Sequence, residues 1–519
     1  MRLDRTHNAK RNIVWGVLNK IITIVFPFVI RTVIIYRLGV NYVGLNSLFT
    51  SILSTLSLAE LGFDTAIVTI MYKGVASNNE ENLCTLLAFI RKAYYIVGTV
   101  IFFLGILCIP FLEYTINDPA SIPTNINLQF LFILFLTNTV ISYFFGGYKI
   151  CLLQAYQRLD VISNINSIST ILCSVVQIII LFYTGNYYLF ILVKIIQSIL
   201  INVYIYYYAT NHFRNIVPKG KPSKTQYDGL KKTLSGTFLS RVGSILSVTF
   251  DNIIISSFLG LTVLACYSNY SYISSSLMSF LIIVYNSLQA GIGNSLALES
   301  KEKNYKDLLK FSFIYNWIVG WTSICLLFLF QPFISLWVGS DLLLPDIVVV
   351  MIVLNYYVVL CGGIQGTYKN AMGIWWEDRY RCLIGGLFNL ILNVLMVLIL
   401  RKYGSLYALA GVVLSTTISD LLILTPWSIR VTFNKLFKDG MLTYVKELLE
   451  YFAVTIINIF ICLPVMKLLS SVIDNAFSLL LFSSIVLVIL PNVVYFIFYH
   501  KNKHFAESLS FIRLLIKRN

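Results

Sequence analysis

Long hydrophobic runs alternate with short polar segments along most of the chain, from residue 12 to residue 499. A transmembrane helix needs roughly 20 predominantly apolar residues, and these runs are close to or above that length. The pattern therefore predicts an all-α polytopic membrane protein with about fourteen transmembrane helices. The predicted spans cover residues 12–34, 43–70, 86–111, 128–148, 161–182, 187–208, 234–257, 263–295, 311–331, 346–368, 382–400, 405–427, 447–467 and 476–499.

The distribution of charge orients these helices. The chain has 519 residues, of which 58% are hydrophobic and 12% are charged, whereas soluble proteins contain about 25% charged residues. With the N-terminus in the cytoplasm, 31 of the 39 Lys and Arg residues fall inside, 4 fall outside and 4 lie within spans. This asymmetry follows the positive-inside rule and predicts that both termini are cytoplasmic. The net charge of +16 then indicates contact with anionic membrane lipids and not with nucleic acid.

A weak internal repeat joins two distant parts of the chain. The segment RNIVWGVLNKIITIVFPFVIRTVIIYRLG (11–39) aligns with KTLSGTFLSRVGSILSVTFDNIIISSFLG (232–260). Lys20 falls on Arg241 and Gly39 on Gly260, and the match of two charges inside two spans is the informative part. Both copies begin with a helix that runs outward, which predicts two parallel six-helix repeats related by a pseudo-two-fold axis along the membrane normal.

The repeat divides the chain into six predicted parts, with two additional helices after the second repeat. These parts are an N-terminal six-helix bundle (1–210), a cytoplasmic basic linker (211–233), a C-terminal six-helix bundle (234–427), a cytoplasmic loop (428–446), two additional transmembrane helices (447–500) and a cytoplasmic basic tail (501–519).

A polar stripe runs along one face of the first predicted helix, where residues three or four apart are neighbours. Its members are Gly16, Lys20, Thr23, Pro27 and Arg31. The seventh helix repeats the stripe with Thr237, Arg241, Ser244, Val248 and Asn252. A charge near the bilayer centre costs about 2.5–3.5 kcal/mol on insertion scales. The cations are therefore expected to face a hydrated cavity between the two halves.

The predicted cavity is cationic, and Lys and Arg are common partners of phosphate and carboxylate groups. The predicted anion ligands are Lys20, Arg241 and Arg31. The residues predicted to line the cavity as neutral polar groups are Thr23, Ser244 and Asn252. An alternative for Arg31 is that it snorkels to the outer surface. Pro27 predicts a kink in the first helix, and both a hinge and a simple packing feature stay open for it.

Three acidic residues are predicted to act as a gate or in ion coupling: Glu60, Asp64 and Asp251. Glu60 and Asp64 are four residues apart near the cytoplasmic end of the second helix, where like charges repel each other. A gate salt bridge, coupling to a proton or sodium gradient, and plain interfacial solvation all stay open. A further alternative is that Lys20 and Arg241 pair with these acids and only hold helices together. Lys194 and Asp420 are weaker candidates.

Catalytic and metal chemistry find little support in the sequence. The nine cysteines are scattered, and the four histidines form no ligand pattern that favours a metal site. The longest polar connection, near 209–233, has about 25 residues, which leaves no room for a soluble catalytic domain. The sequence predicts a non-enzymatic protein without a cofactor or metal.

Three stretches resemble the bacterial polysaccharide repeat-unit flippases of the multidrug/oligosaccharidyl-lipid/polysaccharide exporter superfamily. They are LGVNYVGLNSLFTSILSTLSLAELGFDTAI (38–67), FDNIIISSFLGLTVLACYSNYSYI (250–273) and YKNAMGIWWEDRYRCLIGG (368–386). The resemblance implies alternating-access transport of an oligosaccharide repeat unit on polyprenyl pyrophosphate, from the inner to the outer leaflet of the bacterial cytoplasmic membrane. It also implies basic residues on the first and seventh helices, similar to Lys20 and Arg241.

The resemblance further implies a role in the synthesis of capsule, O-antigen or exopolysaccharide, beside a polysaccharide polymerase and chain-length machinery. A monomer is expected. Two alternatives stay open: a multidrug or cation exporter of the same fold, and a membrane polysaccharide polymerase or ligase. The predicted basic cavity argues against the exporter. The short outer connections near 112–127 and 332–345 argue against the polymerase, which usually needs a larger outer loop.

Overall fold

The regular structure is helical in all the residues that the computed structural model describes, which are 5–57, 63–222, 242–243, 249–374 and 376–517. The first part of the chain contains helices α1 to α9. They are α1 Arg5–Arg37, α2 Val40–Leu56, α3 Phe63–Ala76, α4 Glu80–Cys108, α5 Leu128–Phe144, α6 Ile150–Ala155, α7 Leu159–Thr184, α8 Tyr187–His212 and α9 Thr249–Leu259.

The second part contains helices α10 to α19. They are α10 Leu261–Leu298, α11 Lys301–Val338, α12 Asp346–Cys361, α13 Gly363–Ala371, α14 Arg381–Leu400, α15 Ser405–Ser419, α16 Thr425–Thr432, α17 Met441–Val472, α18 Ala476–Tyr499 and α19 Lys503–Lys517. Two π-helical turns, Asp420–Leu424 and Phe433–Phe437, continue α15 and α16 into one long helix. The prediction of an all-α polytopic fold is confirmed.

Local sequence signals explain where many of these helices begin and end. Asn127 accepts a hydrogen bond from the backbone N–H of Phe130 at 2.9 Å and caps α5. Asn186 caps α8 in the same way, through the N–H groups of Tyr188 and Leu189. Such side-chain caps satisfy N–H groups that the first turn of a helix leaves without a partner.

The two halves of the chain share the same order and spacing of helices. Helices α2 and α4 begin at Val40 and Glu80, and helices α10 and α11 begin at Leu261 and Lys301, so both pairs have the same separation along the chain. The starts of α5, α7 and α8 are matched by those of α12, α14 and α15 at nearly the same displacement. The repeat that the first and seventh spans suggested therefore extends through the described helices.

Ten described helices are long and apolar enough to cross a membrane, and the number rises to eleven if the bent pair Leu128–Phe144 and Gly147–Ala155 is one span. The predicted spans 43–70, 234–257 and 263–295 each include residues whose position or side chain lies outside the description. The chain is thus a multi-pass membrane protein, and the count of fourteen stays a prediction.

The chain divides into two compact units, Met1–Ala265 and Cys266–Asn519. In the first unit α1 packs along α7, and α5 packs against both α4 and α8. The first unit also includes α9. The boundaries of the two predicted six-helix bundles stay a prediction.

The last two long helices dock on α11 within the second unit. Trp317 Nε1 donates to Asn492 Oδ1 at 2.8 Å, and Trp321 Nε1 donates to the carbonyl oxygen of Leu487 at 2.9 Å. The hydroxyls of Thr455 and Tyr495 lie 2.7 Å apart between α17 and α18. Indole N–H groups usually find a hydrogen-bond partner when buried, and here they join α11 to α18.

Candidate functional site

The polar stripe of α1 lies away from the most exposed face of that helix. Its members Lys20, Thr23, Pro27 and Arg31 are all partly buried. The exposed large side chains of α1 within 15–35 are apolar: Val17, Leu18, Ile21, Val25 and Val29. At roughly 100° per residue, the centres of the two sets are about 150° apart around the helix. An apolar exposed face suits lipid, so the stripe is turned from that surface.

Helix α7 covers the adjoining face of α1. Ser167 Oγ donates to Asn19 Oδ1 at 3.2 Å and joins the two helices. Thr23 Oγ1 donates to the carbonyl oxygen of Lys20 at 3.1 Å, within α1 itself. The charge of Arg31 acts on the hydroxyl of the buried Tyr187 at the start of α8. Arg31 therefore lies near enough to the start of α8 for its charge to affect Tyr187.

Of the residues predicted on the seventh helix, Asp251 and Asn252 are described. Asp251 is buried and has an interaction partner. Asn252 Nδ2 donates to Ser51 Oγ at 2.9 Å, which joins α9 to α2. Asn252 is only partly buried. The prediction that it lines a cavity stays a prediction.

Four other predicted site residues are placed incompletely. Arg241, Ser244 and Glu60 lie outside the described residues, and for Asp64 only the backbone in α3 is described. Helix α1 is continuous from Arg5 to Arg37 and includes Pro27. The proximity of Lys20 to Arg241, the roles of the acids and the hinge at Pro27 therefore stay predictions.

The first turns of α2 and α10 form a close contact that the sequence reasoning missed. Thr262 Oγ1 donates to Asn41 Oδ1 at 3.0 Å. A Cβ atom on Gly44 would lie 2.5 Å from the carbonyl oxygen of Leu261, so the helices approach closely only because residue 44 has no side chain. The available signal was the spacing, because Asn41 and Thr262 are as far apart along the chain as Gly39 and Gly260.

A second repeated feature is a buried Tyr-Lys pair, Tyr148-Lys149 in the first half and Tyr368-Lys369 in the second. Lys149 Nζ lies 3.9 Å from the ring centroid of Tyr206 and contacts the Thr210 hydroxyl. The motifs GGYK (146–149) and GTYK (366–369), which stand at matching places of the two halves, are the sequence signal for this pair.

The second lysine of the repeat is held by an ion pair. Lys369 Nζ lies 2.5 Å from Asp378 Oδ2 and 3.2 Å from Ser428 Oγ. Arg381 Nε lies 2.9 Å from the same Asp378 oxygen. One carboxylate therefore neutralises two cations where α13 and α14 approach each other, and such pairs are stable in a protein interior only when hydrogen bonds complete them.

Among the described residues, no group of three or more His, Cys, Asp or Glu side chains could hold a metal ion. What this part of the molecule offers, besides Lys369 with its Asp378 partner, is a set of cations on buried or partly buried helix faces: Lys20, Arg31, Lys149 and Lys194. Such residues within membrane helices often mark substrate and ion pathways. The chemistry they support is the binding of anions.

The first half of the chain matches a known family. The profile of a family described as "Polysaccharide biosynthesis protein" matches residues 9–288. No curated protein sequence matches the chain.

The fold is shared with solved flippases and transporters. The lipid II flippase MurJ in an inward-closed conformation is 15% identical, with 94% of this chain and 99% of that chain covered and a TM-score of 0.63. A mutant of the MATE transporter VcmN from Vibrio cholerae is 13% identical over 84% of this chain and 98% of that chain, with a TM-score of 0.56. A MOP superfamily transporter from Pyrococcus furiosus is 14% identical over 82% and 96%, with a TM-score of 0.53. These neighbours are transporters and a flippase, in agreement with the prediction of a non-enzymatic protein.

Proposed function

Because the chain belongs to the polysaccharide biosynthesis protein family, as its motifs predicted, we propose that it flips a lipid-linked oligosaccharide. The substrate is an oligosaccharide repeat unit on polyprenyl pyrophosphate, and it moves from the inner to the outer leaflet of the bacterial cytoplasmic membrane. Both termini are cytoplasmic, and the product supplies capsule, O-antigen or exopolysaccharide synthesis. A polymerase and chain-length machinery act next on the product.

The observation that carries this proposal is the position of the α1 polar stripe. Lys20 and Arg31 sit on a partly buried face, while the exposed face of the same helix is apolar. A membrane helix retains two cations in such a position at a cost of several kcal/mol. Binding of a diphosphate would offset this free-energy cost, because charge-assisted hydrogen bonds to phosphate are about twice as strong as neutral ones.

The proposed cycle uses the predicted residues in three roles. Lys20, Arg241 and Arg31 neutralise the pyrophosphate. Thr23, Ser244 and Asn252 line the path as neutral hydrogen-bonding groups. Glu60, Asp64 and Asp251 gate the path or couple it to a proton or sodium gradient, while Pro27 supplies a hinge.

The contact between the first turns of α2 and α10 has a place in this cycle. The Asn41–Thr262 hydrogen bond and the close approach at Gly44 hold the outer ends of these helices together. Release of a bulky oligosaccharide to the outer leaflet requires a wide path at that end. We assign this contact to the state in which the outer path is closed.

Depletion of the protein in its native host tests the proposal. The lipid-linked repeat unit is expected to accumulate in the inner leaflet, where a membrane-impermeant lectin or oxidant added to spheroplasts does not reach it. Re-expression of the unaltered chain restores its exposure to the lectin or oxidant. Accumulation in the outer leaflet would instead indicate a polymerase or ligase and would overturn the proposal.

A further inference from the structure

A half-open cavity of about 510 Å³ in the first unit is lined by residues of α2, α5 and α8. This volume falls within the usual range of ligand pockets, roughly 300–1,000 Å³. The lining is rich in hydroxyl and amide groups and contains one aromatic ring and one cation. The lining residues are Thr50, Leu53, Ser54, Ser57, Phe135, Asn138, Thr139, Ile191 and Lys194.

The cation in this cavity is Lys194, in the second turn of a 26-residue membrane helix. Its Nζ lies 3.5 Å from Asn46 Oδ1 and 5.0 Å from the ring centroid of Phe190. None of the described residues that line the cavity is acidic, and a neutral amide oxygen at 3.5 Å is a weak partner for an ammonium group. Among the described walls of the cavity, the positive charge of Lys194 therefore faces no carboxylate.

Several neutral hydrogen-bond donors face the same cavity, and some of them already donate hydrogen bonds within the protein. Thr139 and Ser57 donate to carbonyl oxygens of their own helices, at 3.0 and 2.9 Å. Asn138 Oδ1 accepts from Ser198 Oγ at 2.8 Å, which directs its amide nitrogen away from that bond. The side chains of Thr50 and Ser54, one helical turn apart, make no hydrogen bond within the described part of the chain.

The size and lining of the cavity select the class of ligand. A halide ion would fill only a small part of 510 Å³ and would leave most of the hydroxyl groups without a partner. A pyrophosphate carries more negative charge than one lysine neutralises. A monosaccharide with one carboxylate matches the single ammonium group, the hydroxyl donors and the apolar ring of Phe135.

We propose that the Lys194 cavity binds a carboxylate-bearing sugar, of the hexuronic acid type, in the repeat unit that the protein transports. Lys194 Nζ donates to the sugar carboxylate, and the groups of Thr50, Ser54 and Asn138 contact the ring hydroxyls. This inference rests on the proposed flippase function and adds the acidic class of its sugar. It separates recognition of the sugar at Lys194 from recognition of the pyrophosphate at Lys20.

Direct binding of a free monosaccharide to the full-length protein in lipid nanodiscs tests the inference without any transport step. Equilibrium dialysis with labelled sodium glucuronate is compared with labelled glucose at equal ionic strength set by sodium chloride. Glucuronate is expected to bind at least tenfold more tightly than glucose. Lys194→Met is expected to lower the glucuronate affinity roughly 10- to 100-fold, the effect of one hydrogen bond to a charged group.

Two further variants make the measurement specific. Lys467→Met removes the same charge from an exposed position in α17 and should leave binding unchanged. Thr50→Val removes one hydroxyl at nearly constant volume and should weaken binding of both sugars about three- to tenfold. The Thr50→Val variant keeps the inference falsifiable if Lys194→Met does not fold.

The inference is overturned if glucuronate and glucose bind equally, or if neither binds. It is also overturned if chloride alone displaces glucuronate completely at the affinity expected of a simple anion site. These results leave the proposed flippase function untouched, because depletion of the protein would still trap lipid-linked sugars in the inner leaflet. The opposite pair of results is also informative. If glucuronate binds and needs Lys194, but depletion of the protein does not trap lipid-linked sugars in the inner leaflet, only the flippase proposal is contradicted.

Discussion

The hydroxyl of Thr262 donates a hydrogen bond to Asn41 Oδ1 at 3.0 Å, and the two residues occupy equivalent positions of the internal repeat. The first turns of α2 and α10 therefore meet at corresponding places of the repeat. In the proposed transport cycle, separation of these two helix ends would break this contact.

A disulfide across this contact tests its role. Asn41→Cys combined with Thr262→Cys is expected to form a cross-link under oxidation, because the two side chains are in contact and the helix ends that carry them approach closely at Gly44 and Leu261. The cross-link should reduce flipping about tenfold or more, and a reducing agent should restore it. Each single substitution serves as control. Full cross-linking with unchanged flipping would show that the outer ends need not separate.

Gly44→Ala is expected to lower stability by about 1–3 kcal/mol, the usual cost of overpacking. The added Cβ would lie 2.5 Å from the Leu261 carbonyl oxygen, and a backbone atom cannot move aside alone. Thermal unfolding in detergent measures the effect. Gly16→Ala is the matched control, since nothing lies within 4 Å of its Cβ position. It should be neutral or slightly stabilising in a helix. Equal unfolding temperatures for the two variants would contradict the close approach.

Lys20→Ala should reduce flipping about tenfold or more, since it removes a charge-assisted contact worth roughly 1.5–3 kcal/mol. Lys20→Arg keeps the charge and should retain part of the activity. The same pattern is expected for Arg241→Ala and Arg241→Lys. The readout is the amount of lipid-linked sugar that a membrane-impermeant oxidant modifies at native expression level. Lys467→Ala, an exposed position, is the control, and full activity of both alanine variants would remove the proposed pyrophosphate site.

Asp378→Asn should destabilise the protein more than Lys369→Met does. Loss of Asp378 leaves the buried Lys369 and the partly buried Arg381 without their shared carboxylate, whereas loss of Lys369 leaves the Arg381–Asp378 pair intact. Breaking a buried pair typically costs about 3–5 kcal/mol. Thermal unfolding compares the variants.

The exposed Lys435–Glu377 pair, at 3.3 Å, supplies the control for the buried network. Lys435→Met should change stability by less than about 1 kcal/mol, as surface ion pairs usually do. An order in which Lys369→Met is the most damaging of the three would contradict the shared-carboxylate interpretation.

Attachment of the C-terminal helix α19 should weaken as pH rises. A hydrogen bond to Glu447 raises the pKa of His504 above its usual value of 6.5 against the opposing effect of burial, with Glu507 adding to the increase. His504 Nε2 lies 3.3 Å from Glu447 and Nδ1 lies 3.7 Å from Glu507. Tyr451 and Lys503 in turn contact these two acids. The stabilisation is complete below pH 6.5 and disappears as pH rises through the raised pKa.

Hydrogen exchange of α19 measured from about pH 5.5 to about pH 8.5, after correction for the intrinsic rate, checks this prediction. Protection should fall across the range in the unaltered protein. His504→Gln should show weak protection with little dependence on pH. His500→Gln should behave like the unaltered chain, because the contacts described for the His500 ring are with residues of α18. A pH dependence that survives His504→Gln would contradict the role of this imidazole.

The hydrophobic pattern alone was sufficient to predict the all-α membrane fold. Backbone groups in lipid must be satisfied within a helix, so each apolar run has few alternatives. The polar stripe of α1 was predictable for the same reason, because 3.6-residue periodicity decides which of its side chains share a face. The family resemblance depended equally on local motifs, and the match over residues 9–288 agrees with it.

Contacts between distant segments depended on the tertiary structure. From the sequence, Asn41, Thr262 and Gly44 were ordinary residues of a motif, although α2 and α10 meet at these positions. Lys194 was only a weak candidate from the sequence, because nothing in a single helix shows that α2, α5 and α8 together line a half-open cavity beside it. Periodicity determines the face of a helix on which a residue lies, but the packing of neighbouring helices decides what that face meets.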